Sequence, residues 1–327
     1  MPMTHPSGLS RYRPAAVIVL LLAVGAGLFA GSYSFAMAHP TPHHVPIGVV
    51  DDSPQLQKFV AGMDSGLSTE LVQRRYATRA AAVDAVDRQH VFAVAQTRAG
   101  GGTVSFDLVP AAGASVARVL AAAAPVAASQ AGVRLSLGDL RPLQPGDPQG
   151  LAIFYITLAA VIVGFLGAVQ LTVHASELRP LERFATIVVY SVLGSLSIVA
   201  VVDWGLHVLR LPFLQSWAIL TLTMVTSGLV FTAFYMLFGK WAILPTWLLM
   251  VLLGNPSSGG AVSWLLLPQP LGAVGRWLPP GASVNAQHNA IYFSGNQYAF
   301  PYLVLFGWAV AAAAVAWTWR RRRYPQL

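Results

Sequence analysis

The sequence contains no cysteine and few charged residues. Without cysteine, a disulfide framework, a thiolate metal site and a cysteine nucleophile are all excluded. Only 10% of the 327 residues are charged, whereas 55% are hydrophobic, and a soluble domain carries roughly 25% charged residues. A phosphate-binding GxxxxGK[ST] loop is also missing, because the only Gly-Lys pair, Gly239 and Lys240, precedes Trp241. We therefore expect a membrane protein that is not an enzyme and holds no cofactor itself.

The net charge of +8 is concentrated outside one long segment. Between Ala38 and Gln149, nine basic side chains balance nine acidic ones. The excess lies in the rest of the chain, mainly at Arg11, Arg13, Lys240, Arg276, Arg320, Arg321, Arg322 and Arg323. Basic residues beside apolar runs determine membrane topology, so we interpret the charge in this way and expect no nucleic-acid partner.

Five stretches are long and apolar enough to cross a bilayer, which takes about 20 residues. They are residues 14–37, 151–173, 184–202, 213–238 and 299–319. A further apolar stretch, residues 241–253, is short and contains Pro245, and apolar character returns at 261–267 after a cluster of Gly, Pro and Ser. We interpret this region as a sixth span that is broken or partly re-entrant.

Six spans place both termini in the cytoplasm and give a consistent distribution of flanking positive charge. The prediction is a mainly α-helical, multi-pass protein of the plasma membrane with a cytoplasmic N-terminus (1–13), a first span (14–37) and an extracytoplasmic α/β domain (38–149). A transmembrane domain with five further spans (150–319) and a basic cytoplasmic tail (320–327) follow. A cleaved signal peptide is the alternative to the first span, since Ala36 and Ala38 follow its apolar run, but the run is long for a signal core.

The segment between the first two spans alternates strand-like and helix-like patterns. Strands are predicted at 45–50, 91–97 and 103–109, and helices at 55–67, 79–88 and 115–131. This order indicates a small α/β domain. It is preceded by a proline-rich linker with His39, His43 and His44, which is a weak metal-site candidate and more simply a spacer.

Few polar groups near the spans suggest chemistry. Asp203 and His207 lie four residues apart, and on a continuous helix they would share a face and could relay a proton; the simpler interpretation is a helix end in contact with lipid headgroups. The loop around Glu177, Arg179, Glu182 and Arg183 could dock a cytoplasmic partner, or it could be a solvated hairpin that only fixes topology.

The region 238–296 is the most distinctive, with the runs GNPSSGG, LPQPLGAVGRWLPPG and YFSGN. Irregular backbone at membrane depth must be buried in protein or face a wet cavity. This region resembles permeases of the type-2 ABC exporter superfamily, in the branch of the phage infection protein and the yeast nitrosoguanidine-resistance protein. The matching positions are Gly254, Asn255, Pro256, Ser258, Gly259, Gly260, Pro268, Leu278, Pro279, Pro280 and Gly281, while Gln287 and His288 stand where the family often has arginine.

The resemblance extends to the order of one span, a large domain beginning VPIGVVDD and five more spans. It implies an export permease that acts as a homodimer, or with a related permease, on a hydrophobic or amphipathic substrate. A separate ATPase would bind at Glu177–Arg183 and supply the ATP energy, and the motif residues would line the translocation path. A membrane receptor or scaffold and a proton-coupled transporter using Asp203 remain the alternatives.

Overall fold

The computed structural model describes residues 12–38 and 40–323, which form a helical bundle and an α/β domain. Within this part of the chain, five helices are long and apolar enough to cross a membrane, as expected for a multi-pass membrane protein. Their apolar portions are Ala15–Met37, Ala152–His174, Pro180–Gly205, Phe213–Trp241 and Phe300–Thr318. The five predicted long spans are thus confirmed as helices.

The described residues form eleven α-helices, two of which have only five residues. The long bundle helices are α1 (Arg13–Met37), α5 (Ala152–His174), α6 (Pro180–Val199), α7 (Phe213–Phe238) and α11 (Phe300–Arg323). The α/β domain contains α2 (Pro54–Leu67), α3 (Arg79–Asp87) and α4 (Ala114–Ala131). Between α7 and α11 lie α8 (Ile243–Trp247), α9 (Leu271–Gly275) and α10 (Pro279–Tyr292).

The bundle is organised around α7, which contacts α5, α6, α10 and α11. Close packing here depends on small residues, as is common for helices in membranes: a Cβ placed at Gly164 of α5 would overlap the Met224 carbonyl oxygen of α7. By contrast, α1 stands to one side, and the most apolar 18-residue window of this helix has no buried residue. It touches the remainder through Ser32, which donates a hydrogen bond to the Leu252 carbonyl at 2.5 Å, and through Phe29, which stacks on Trp247.

The region predicted as a sixth span is shorter than a full crossing. A 3₁₀ turn at Gly239–Trp241 leads into α8 and then into a π-helix at Leu248–Leu253. The apolar residues at 261–267 are not helical, and Leu265 and Leu266 are buried in the core of the α/β domain. The structure thus places Leu265 and Leu266 in that core, and the sixth span stays a prediction.

Five strands of the described chain form one mixed sheet in the order β2-β1-β3-β4-β5. Their bounds are β1 Pro46–Val49, β2 Val72–Arg75, β3 Ala93–Thr97, β4 Thr103–Leu108 and β5 Arg134–Asp139. The pairs β1–β2, β1–β3 and β4–β5 are parallel, whereas β3–β4 is antiparallel. The predicted strands β1, β3 and β4 and helices α2, α3 and α4 are confirmed.

The two faces of the sheet are covered differently. Helices α2 and α4 cover one face, where the Phe59 and Phe106 rings meet edge to face at 5.4 Å. On the other face, Val94 packs with residues of α3 and with Phe293, which directly follows α10. The sheet is therefore in contact with the segment that connects α7 to α11.

Candidate functional site

The Gly- and Pro-rich motif forms a compact, buried turn at the end of the bundle that adjoins the α/β domain. Residues 254–258 are buried, and a Cβ placed at Gly275 would overlap the carbonyl oxygen of Ser257. Likewise, a Cβ at Gly281 would overlap the carbonyl oxygen of Gly275. The turn around Ser257, the end of α9 and the start of α10 thus touch backbone to backbone, and the structure brings the N-terminal and C-terminal halves of the motif together.

Helix α10 follows this turn and inserts its first half between α5 and α7. Ser283 accepts a hydrogen bond from the Thr223 hydroxyl of α7 at 2.8 Å and lies 3.4 Å from the Thr157 hydroxyl of α5. One turn further, Gln287 donates to the Ser216 carbonyl at 3.1 Å. The amide oxygen of Gln287 and the hydroxyl of Ser216 are buried without a partner in the described chain. This seam is therefore polar although it lies among apolar helices.

The second half of α10 contacts the α/β domain. Gln89, two residues after α3, donates to the Asn289 side-chain oxygen at 2.8 Å. His288 Nδ1 lies 3.2 Å from the Ala111 carbonyl oxygen, so we assign the proton to Nδ1. Helix α10 thus connects the bundle to the α/β domain.

A cavity of about 310 Å³ lies where α10, the motif turn and the α/β domain meet. This volume is at the lower end of the range for small-molecule sites. The α/β domain contributes the α3–β3 connection and the start of α4, and the other walls come from the motif turn, α10 and the loop before α11. Motif residues Gly259 and Gly260 are part of the wall.

The polar lining of the cavity is cationic, because the described lining residues include two arginines and no carboxylate. Basic or titratable side chains come from Arg88, His90, Arg276 and His288. Arg88 is exposed and pairs with Asp84 at 3.0 Å. Arg276 has no carboxylate partner within the described residues. The cavity therefore contains an arginine whose charge is not neutralised by the protein.

Arg276 is held by an aromatic ring and not by an ion pair. Its guanidinium carbon lies 4.5 Å from the centre of the Trp264 ring, a cation–π distance. Its Nε is buried and has no hydrogen-bond acceptor among the described residues. Burial raises the pKa of the Tyr298 hydroxyl, and the Arg276 charge opposes that rise. A buried donor nitrogen of a cavity-lining arginine thus lacks an acceptor within the described chain.

His288 is the second group that faces both the cavity and the α/β domain. Desolvation lowers the pKa of this imidazole to about 4, although the Ala111 carbonyl and the Asp147 charge oppose the shift. With Nδ1 donating to Ala111, Nε2 is an acceptor at neutral pH. The pair of Arg276 and His288 therefore offers one charged donor and one neutral acceptor.

Asp203 and His207 do not form the helical pair that the sequence suggested. The α6 helix continues as a π-helix over Ala200–Gly205 and ends before His207, whose φ is 53°. His207 Nδ1 contacts the backbone carbonyl of Asp203 at 2.8 Å, while the Asp203 carboxylate accepts from the Leu211 amide at 3.1 Å. The two residues are adjacent, but the Asp203 carboxylate stabilises the loop before α7.

Of the four charged residues predicted to dock a partner at the α5–α6 connection, two make contacts within the hairpin and two are exposed. Glu182 accepts a hydrogen bond from the Arg179 amide at 2.7 Å and so caps the start of α6. Arg183 donates to the Thr172 hydroxyl at 3.0 Å and links α6 to α5. The side chains of Glu177 and Arg179 are exposed and make no ion pair within the described chain. Only these two are available to a partner without a change in the hairpin.

The described linker histidines, His43 and His44, belong to no group of three or more residues that could hold a metal ion, and no such group occurs elsewhere in the described chain. His39 lies outside the described residues. So do Arg11 and most of the predicted cytoplasmic N-terminus, residues 324–327, and the side chains of Arg320–Arg323.

Comparisons with protein-family models, with characterised proteins and with solved structures found no match to this chain. The cavity and the seam beside it are therefore interpreted from their own geometry.

The family resemblance predicts that Gly259 and Gly260 lie on a translocation path; in the structure they line the cavity, and the path itself stays a prediction. The sequence did not predict that Arg276, Trp264 and Tyr298 would line this cavity together. One sequence signal was present: Arg276 is the only basic residue between Lys240 and Arg320, within a Gly- and Pro-rich region. Its pairing with Trp264, twelve residues earlier, depends on how the turn folds and has no periodic signature.

Proposed function

We propose that this chain is the membrane-spanning permease subunit of an exporter that moves a hydrophobic or amphipathic substrate, with energy from a separate ATPase. The observation that carries the proposal is the position of α10. This helix is inserted between α5 and α7 at one end and bonded to the α/β domain at the other, with a cavity beside it. Such a helix can couple a change in the bundle to the opening of the cavity.

In the proposed topology, the α/β domain and the cavity are extracytoplasmic, and the α5–α6 loop is cytoplasmic. The chain works as a homodimer or together with a related permease. Exposed Glu177 and Arg179 form the contact with the ATPase, because charges that complement a partner mainly determine partner choice and register. Glu182 and Arg183 hold the hairpin in the shape that presents them.

Reversal of both exposed charges, Glu177→Arg together with Arg179→Glu, tests this contact. The net charge of the loop is unchanged, so membrane insertion should be preserved, while recovery of the ATPase with the tagged chain should fall about tenfold or more. Recovery is measured by affinity purification, mass spectrometry and ATP hydrolysis. A matched control exchanges the exposed pair Asp52 and Arg75 of the α/β domain and should leave recovery unchanged.

The second candidate is a membrane receptor or scaffold with an extracytoplasmic binding site. It is favoured by the large share of the cavity wall that the α/β domain provides. If no ATPase co-purifies with the native chain, or if the loop reversal leaves ATPase recovery at the native level, the docking role of the loop is refuted. The absence of any ATPase would refute the exporter and favour the receptor.

A further inference from the structure

We propose that the cavity around Arg276, together with an adjoining groove on α11, is a binding site for an anionic amphiphile with one long acyl chain. The cavity takes the carboxylate or phosphate headgroup and the groove takes the chain. This inference rests on the proposed function by naming the substrate class of that permease, but binding itself requires no ATPase.

The headgroup part of the argument concerns charge. Arg276 lines the cavity and makes no ion pair with a described carboxylate, and the described lining itself contains no carboxylate that could neutralise its charge. Hydrogen bonds between arginine and an oxyanion are among the strong ones in proteins. The Trp264 ring restrains the guanidinium from one side, so the Arg276 side chain would lose little conformational entropy when an anion binds.

Recognition at the headgroup is not purely electrostatic. His288 lies in the same cavity with a neutral Nε2 available as an acceptor, and the Asn285 and Tyr298 side chains also line it. An anion that also carries a hydroxyl or a glycerol could therefore donate to His288 while its oxyanion accepts from Arg276. A bare cation would meet no carboxylate in the described lining.

The chain part of the argument concerns a second, apolar concavity of about 520 Å³ that begins where the cavity ends. Phe300 lines both spaces, and Trp277, the neighbour of Arg276, lines the groove and meets the Phe300 ring at 4.8 Å. The groove continues along one face of α11 past Leu303, Val304 and Gly307. From Phe300 to Ala311 this face extends roughly 16 Å along the helix axis.

The surface of the groove has the character of a lipid interface. Leu303 is 66% exposed and Trp277 60% exposed, and the Trp308 indole donates to the Trp277 carbonyl at 2.7 Å. Tryptophan is enriched at membrane–water interfaces, where its ring is apolar and its N–H finds a polar partner. An amphiphile in the leaflet on the α/β-domain side could therefore enter from the side, with the chain in lipid and the headgroup at the interface.

The glycine in the groove allows the chain site to be tested alone. A Cβ at Gly307 would meet no atom within 4 Å outside its own helix, and Gly307 lines the groove, so Gly307→Leu adds its side chain to the space that the acyl chain would occupy. A Cβ at Gly27 in α1 would likewise meet no such atom, which makes Gly27→Leu a matched control on another membrane-facing helix. For the headgroup, Arg276→Gln removes the charge and Arg276→Lys retains it, and Arg98→Gln, on an exposed turn of the α/β domain, is the control.

The experiment uses the full chain, purified into phosphatidylcholine nanodiscs without an ATPase. Three photoreactive probes with the same C16 chain and diazirine position are compared: palmitate, palmityl alcohol and palmitoyl-lysophosphatidylglycerol. Labelling of residues 300–311 is quantified by mass spectrometry relative to labelling of α6, which none of the variants changes. At least one anionic probe should label the groove about tenfold more than the alcohol, because a charged hydrogen bond contributes roughly this factor.

The variants should separate the two parts of the site. Arg276→Gln should lower anionic labelling about tenfold, Arg276→Lys should restore much of it, and Arg98→Gln should not change it. Gly307→Leu should lower labelling by every C16 probe, unlike Gly27→Leu. Preference for palmitate identifies a free carboxylate as the source, preference for the lysolipid identifies a phospholipid headgroup, and equal labelling by both supports the shared anionic chemistry.

Several results would overturn the inference. Equal labelling of the native protein by palmityl alcohol and both anions would show a groove with no headgroup site, as would native-level labelling of Arg276→Gln. The charge requirement can also be tested on the native protein. Unlabelled palmitate should reduce labelling by the anionic probes, and unlabelled palmityl alcohol should not; equal competition by the two would contradict the headgroup site. Failure of these tests, for a chain that does co-purify with an ATPase from cells, would refute the ligand class alone. Successful labelling of a chain with which no ATPase ever co-purifies from cells would refute the exporter and leave the site.

Discussion

Gly281, in the first turn of α10, lies where the backbone of this helix meets the end of α9 inside the protein. Any side chain at this position would overlap the carbonyl oxygen of Gly275, and a main-chain atom cannot move aside as a flexible side chain can. The glycine is therefore required by contact and not by a positive φ. At Gly259, in contrast, φ is +83°, and the requirement comes from the backbone conformation.

Replacement of Gly281 by alanine should destabilise the protein by about 1–3 kcal/mol, the usual range for overpacking. The measurement is thermal unfolding of the purified protein in detergent. Gly27→Ala in α1 is the control, since it also adds one methyl group to a helix but meets open space. That control should keep the native melting temperature or exceed it slightly, because alanine favours helix over glycine. Equal melting temperatures for both variants would contradict the proposed contact.

At the scale of elements, the segment 261–267 is a connection between two parts of the molecule. Leu265 and Leu266 are buried in the α/β core, the Ser263 amide donates to the Ser115 hydroxyl at 2.9 Å, and the His43 amide donates to the Leu265 carbonyl at 2.9 Å. Segment 261–267 thus joins the turn at residues 254–260 to the α/β domain by both apolar and polar contacts.

Leu266→Ala should weaken this connection. Leu266 is fully buried, and truncation of such a leucine typically costs 2–5 kcal/mol through lost burial and the cavity left behind. We expect faster protease cleavage within residues 254–270, together with a lower melting temperature. Leu206, which is 65% exposed, supplies the control Leu206→Ala, with a change within about 0.5 kcal/mol. Unchanged cleavage in Leu266→Ala would show that the segment is not held by the domain.

At the scale of the whole molecule, the orientation of the bundle determines which side the cavity faces. The proposed topology places the α/β domain outside and the α5–α6 loop inside the cell, following the positive-inside rule. Ser129 on α4 and Ser176 in the loop are both exposed, so a cysteine at either position can react. The native chain contains no cysteine, so no background labelling is expected.

In intact cells, a membrane-impermeant maleimide should label Ser129→Cys and spare Ser176→Cys. After permeabilisation both should react, which controls for accessibility. The reverse pattern would place the α/β domain in the cytoplasm and would remove the basis for an extracytoplasmic ligand site. Labelling of both positions in intact cells would indicate leaky cells and is excluded by including a cytoplasmic protein as a reference.

The sequence by itself determined the five long helices, since runs of about 20 apolar residues are local signals that need no partner. It also determined β1, β3, β4 and the helices of the α/β domain, where Ser53 caps α2 and Thr78 caps α3. It did not indicate β2 and β5, because these sheet-edge strands, VQRR and RLSLGD, lack a continuous buried face.

Only the tertiary structure decided the site. The pairing of Arg276 with Trp264, the insertion of α10 between α5 and α7, and the burial of Leu266 in the α/β core all join residues whose spacing follows neither helical nor strand periodicity. Such contacts depend on how irregular backbone satisfies its polar groups against the rest of the molecule. The sequence could locate that region by its glycine and proline content, but the charge of its cavity was determined by which side chains the turn brings together.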